Sequence, residues 1–139
     1  MIKLTNQQFE EIAYIFEQAN RGSHSDYERK IIKESKLAKF KPFELEQIIV
    51  DGLNSNIYKK ESERVSGYWA LSKSINSDLI SQFRKWLKIE LDNKNSIPIF
   101  QILVALDRFH EPAFHKNRNS RGADETELNI RDAKEYLNN

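Results

Sequence analysis

Apolar residues recur every three to four positions over almost the whole of this chain, and strict apolar and polar alternation is confined to short runs such as Leu87–Asp92. That spacing gathers apolar side chains along one side of an α-helix, whereas a half-buried strand needs a period of two. Four glycines and three prolines are the only strong conformational breaks in 139 residues. The pattern predicts an all-α protein, a compact single-domain bundle of about six or seven helices spanning residues 1–139.

Punctuation places the helices. Thr5 followed by Gln8 forms a capping box, and Phe9, Ile12, Phe16 and Ala19 continue at helical spacing until Gly22, predicting a first helix over 6–20. Ser25 with Glu28 repeats the signal for a second helix over 26–39. In that reading, the lysines at 33, 36, 39 and 41 complement the negative pole of the helix. Pro42 suits a first turn, and Phe43, Leu45, Ile48, Ile49 and Leu53 make the third helix. Between Asn54 and Ser77 the spacing predicts a helix with a weak point at Gly67. Ser77 precedes a fifth helix over 78–92, carrying Leu79, Phe83, Trp86, Leu87 and Leu91. Ser96 is read as the cap of a sixth, with Pro98 tolerated early and Ile99, Ile102, Leu103, Leu106 and Phe109 forming a nearly continuous apolar face. Residues 110–123 suit a long surface loop. Asp124 and Glu127 then open a last helix with Leu128, Ile130, Ala133 and Leu137 turned to the core.

Composition removes whole classes of function. An apolar share of 39% beside 31% charged residues is too polar for a membrane protein, while 11% aromatics is too many for a disordered one. Twenty-two Lys and Arg balance twenty-one Asp and Glu. No field of the whole molecule therefore attracts nucleic acid, which is not expected as a partner, and any charged partner must meet a local patch. The absence of cysteine excludes disulfides, thiolate zinc ligands and thiol catalysis. Residues 1–6 lack an apolar signal core, so the expected compartment is the cytoplasm.

No constellation for chemistry stands out. His110 and His115, with Glu111 between them, imitate a zinc-protease motif, but a spacing of five turns the imidazoles apart and Pro112 breaks the helix that would present them. His110 reads instead as a residue near the last carbonyls of the sixth helix, with Pro112 enforcing its stop. There is no glycine-rich phosphate loop and no serine or carboxylate arrangement with an acid–base context, so neither an enzyme nor a bound cofactor or metal is expected. What remains is binding. Arg108, His115, Lys116, Arg118 and Arg121 make the loop basic, and Asp124, Glu125, Glu127, Asp132 and Glu135 make the last helix acidic. Asp132 and Glu135 fall three apart and are assigned to its outer face, where they could meet a basic partner. Phe114 is the apolar residue of the loop best suited to anchor an interface, with Arg118 and Arg121 beside it.

The stretch Gln101–Leu137 resembles the end of small helical bacterial immunity proteins, which accompany the toxins of contact-dependent growth inhibition systems. The resemblance is carried by an apolar helix ending in Ala105-Leu106-Asp107, a loop with Glu111-Pro112, and a closing helix with Glu127-Leu128-Asn129-Ile130-Arg131-Asp132-Ala133. It implies a cytoplasmic protein that binds the C-terminal domain of a cognate toxin, with a nuclease among the candidate activities, and occludes its active site or substrate path. The contact residues would be Phe114, Arg118, Arg121, Asp132 and Glu135. The alternative is a small helical nucleic-acid-binding or phage-type regulatory protein using the basic loop and the second helix. It lacks a convincing helix-turn-helix.

Overall fold

The computed structural model describes residues 1–22, 25–114 and 122–139; Arg118 and Arg121 of the expected contact set, and His115, lie outside the described residues. Among these residues there are seven α-helices, one 3₁₀ turn and no strand, so the protein is all-α. The chain divides into two compact units, Met1–Ile75 and Asn76–Asn139.

The first unit contains α1 (Asn6–Arg21), α2 (Asp26–Glu34), the 3₁₀ turn η1 (Lys36–Lys39), α3 (Pro42–Asn54) and α4 (Glu61–Leu71). The two capping signals legible here both form. Thr5 Oγ1 accepts from the Gln8 amide while Gln8 Oε1 accepts from the Thr5 amide, at 3.1 and 2.9 Å, and Ser25 Oγ accepts from the Glu28 amide. α1 packs against α2, η1, α3 and α4, and its Phe9, Ile12 and Phe16 are buried with Leu45 and Ile49 of α3 and Leu71 of α4. Ala19, expected on that stripe, is exposed.

Two expectations need correction in this unit. The second helix stops at Glu34, because Ser35 adopts an extended conformation and caps η1 by accepting from the Leu37 amide at 3.1 Å. Gly67 does not interrupt α4. It is buried, and a Cβ there would lie in ordinary contact with Leu53 and Phe9, 3.5 and 3.6 Å away.

The second unit is built from α5 (Leu79–Asp92), α6 (Ser96–Arg108) and α7 (Thr126–Leu137), each packed on the other two. Phe83, Leu87, Ile99, Ile102, Leu103 and Leu106 have no solvent exposure. Three expected caps do not form here. Asn76 closes the start of α5 through its own side chain, which accepts from the Asp78 amide. Ser96 is already helical, and its hydroxyl reaches the Ala123 carbonyl at 3.2 Å instead of its own helix. Asp124 lies outside α7 and accepts the Thr126 amide through its carbonyl.

α6 ends before Pro112 is reached. His110 has φ of 63°, and the His110 and Glu111 amides donate back to the Asp107 and Leu106 carbonyls. That is a Schellman end, whose left-handed position normally belongs to glycine. Because the His110 side chain is exposed, His110→Gly should raise stability in urea unfolding by about 1 kcal/mol, the cost of holding an L-residue there. A loss of stability would mean that the imidazole makes a contact outweighing the strain.

Candidate functional site

α7 is unusual in what it turns inward. Asn129, Asp132, Ala133 and Tyr136 are its buried residues, while Leu128, Ile130 and Leu137 are only partly covered. Their spacing of three, four and seven defines one helical face, and three of the four are polar. Buried polar groups must find partners, and here two of them tie α7 to the ends of the preceding connection. Asn129 Nδ2 donates to the Gly122 carbonyl at 3.1 Å, and the Tyr136 hydroxyl donates to Glu111 Oε1 at 2.8 Å. Arg84 of α5 lies over the Tyr136 ring, 4.7 Å from its centroid. Burial, the largest influence, pushes the Tyr136 phenol up; the neighbouring Arg84 opposes this and Glu111 adds to it.

The expectation for Asp132 is therefore corrected. It is 2% exposed and belongs to the inward face, because the buried stripe of α7 runs through 129, 132, 133 and 136 rather than through its aliphatic residues. Its carboxylate Oδ1 lies 3.7 Å from Arg131 Nε. Glu135 does lie outside.

Beside this face the chain leaving α6 makes a tight bend in which the Ala113 amide donates to the Glu111 carbonyl at 2.8 Å, burying Ala113. The bend sets Phe114 against Phe100 of α6, with ring centroids 6.0 Å apart. Pro112, Ala113 and Phe114 then form one wall of a notch, and Asp132, Glu135, Tyr136 and Asn139 form the other. Its volume is about 200 Å³. That suffices for one large side chain, or about six waters at roughly 30 Å³ each. Three of the expected contact residues, Phe114, Asp132 and Glu135, thus line a single concavity. Two carboxylates at an aromatic edge suit an arginine or lysine side chain with an apolar stem.

Pro112, Ala113, Tyr136 and Asn139 were missed from sequence. The signal for Tyr136 was present, since it falls four residues after Asp132 on α7. Trp86 is buried in the core, whereas Trp69 is half-buried beneath Lys73 Nζ, 5.5 Å from its ring centroid.

Among the described residues no group of three or more His, Asp or Glu could hold a metal ion, and no helix is long and apolar enough to cross a membrane. Comparisons with family models, curated proteins and solved structures find no match.

Proposed function

We propose that this is a binding protein rather than an enzyme, a cytoplasmic immunity protein that occludes a cognate toxin domain through the notch beside α7. The observation that carries the binding reading is the convergence of Phe114, Asp132 and Glu135 on that one concavity. The toxin as partner rests on the resemblance of Gln101–Leu137 to immunity proteins. A buried carboxylate, an exposed one and an aromatic edge together favour a basic side chain inserted from the partner, with apolar contact around it.

Neutralising a lethal protein calls for nanomolar affinity, about -12 kcal/mol, which needs an anchor as well as rim charge. The test is growth of cells expressing the toxin domain encoded upstream together with each variant, paired with binding kinetics on the purified complex. Glu135→Lys should slow association about tenfold at low salt, because its charge is exposed and steers encounter. Phe114→Ala should chiefly speed dissociation, by about tenfold. Melting temperatures separate these effects from unfolding. Full protection and unchanged kinetics by the folded double variant would remove the notch from the interface. Failure of the wild type to bind or protect against a neighbouring toxin domain would end the immunity reading.

A further inference from the structure

Helix α2 and the 3₁₀ turn η1 contain no buried residue, although both pack against α1. Their partly covered side chains, Ile31, Ile32 and Leu37, account for the apolar side. Cations outnumber acids on the rest of this stretch: Arg29, Lys30, Lys33, Lys36, Lys39 and Lys41 are all exposed, against Asp26, Glu28 and Glu34, and Arg29 Nη1 lies 3.8 Å from Asp26 Oδ1. On α2, residues 29, 30 and 33 fall within one turn on the side opposite Ile31 and Ile32. On η1, positions 36 and 39 eclipse each other. The helix dipole explains only Lys33, since Lys30 precedes the last turn of α2, and Lys36, Lys39 and Lys41 lie beyond its end at Glu34. Two exposed aromatic rings bracket the run, Tyr27 at 64% and Phe43 at 66% exposure.

We propose that the α2–η1 face binds a nucleic-acid strand, its lysines contacting successive phosphates and Phe43 stacking on a base. Three physical arguments select this partner over other polyanions. Five of the six cations are lysine, which suits point-charge contact with phosphate but is depleted from protein–protein interfaces, where arginine is preferred. A helix that inserts into a lipid surface presents a free apolar face, and the one on α2 and η1 is turned to α1. Exposed aromatics beside a run of cations are the elements of sequence-tolerant single-strand binding. The balanced charge of the whole chain argues against nucleic acid only as a long-range effect, and this patch is local. The inference is independent of the toxin reading, since the face lies in the first unit and the notch in the second.

The experiment measures anisotropy of a labelled oligothymidylate of about 20 nucleotides titrated with the full chain. With about four phosphates neutralised, affinity should fall roughly fifty-fold between 50 and 200 mM salt. Lys30→Gln/Lys33→Gln/Lys36→Gln should weaken binding at least about tenfold at 50 mM salt and flatten the salt slope by about two. Lys36→Gln/Lys39→Gln, confined to η1, should lose about two thirds as much on a logarithmic scale. A control in α5 and α7, Lys85→Gln/Lys88→Gln/Lys134→Gln, should bind like the wild type. Phe43→Ala should lose several-fold on the single strand and little on a duplex. Circular dichroism checks that each variant keeps its helix content. Absence of binding at 50 mM salt, an equal loss in the control, or equal affinity for polyglutamate or for phosphatidylserine vesicles would overturn the proposal.

Discussion

Phe83→Ala should lose about 3–5 kcal/mol of stability, which for a chain of this size is a large part of the total. Phe83 has no solvent exposure. Its ring meets Trp86 edge-on and Phe109 at a tilt, both with centroids 5.8 Å away. Truncation removes the transfer energy of a buried benzyl group, leaves a cavity among aromatic rings that cannot collapse without shifting α6, and forfeits both edge contacts at about 0.5–1.5 kcal/mol each. Phe83→Leu fills most of the space and should cost about 1.5 kcal/mol or less. Urea unfolding with an unchanged slope is the measurement, and a loss below about 1 kcal/mol for the alanine variant would show that α5 does not rely on this ring.

That ring was legible in the sequence, as were most apolar faces, because a stripe at period 3.6 has one low-energy solution when the chain carries enough such stripes to cover one another. Phe9, Ile12, Ile99 and Leu103 follow directly from that rule. Helix ends were less legible, since a serine or aspartate can satisfy a backbone amide in several ways. Thr5 caps its own helix, yet Ser96 serves the Ala123 carbonyl, a partner 27 residues away that no local pattern announces. Asp132 was misplaced for a related reason: ranking α7 by hydrophobicity assumes that its inward face is apolar, and here that face holds Asn129, Asp132 and Tyr136. The notch needed both a helix face and the bend at Pro112 to exist, so sequence could name Phe114, Asp132 and Glu135 without showing that they line one concavity.

Tyr58 lay in the stretch where periodicity was weakest, and it carries the second large expected effect. It is 1% exposed, its hydroxyl accepts from the Leu4 amide at 3.0 Å, and its ring stands 5.4 Å from Phe9. Gly52 makes room for it, since a Cβ there would lie 2.7 Å from the Tyr58 ring. Two separable contributions follow. Tyr58→Phe keeps the packing but leaves the buried Leu4 amide without its acceptor, and should cost about 1–3 kcal/mol. Tyr58→Ala adds a cavity beside Phe9 and should cost about 3–5 kcal/mol in all. Burial also pushes the Tyr58 phenol above its ordinary value of 10.0, so the folded state holds the proton longer than the unfolded chain does. Stability is therefore full below about pH 10 and falls as pH rises through the raised folded value, a loss that Tyr58→Phe should reduce. Urea midpoints of the three proteins at pH 7 and above pH 10 check both parts. Equal stability of wild type and Tyr58→Phe at pH 7 would mean that the Leu4 amide finds water instead, and the strap from Met1 to Thr5 would then be held by Leu4 packing and by the Lys3–Glu63 ion pair at 3.1 Å.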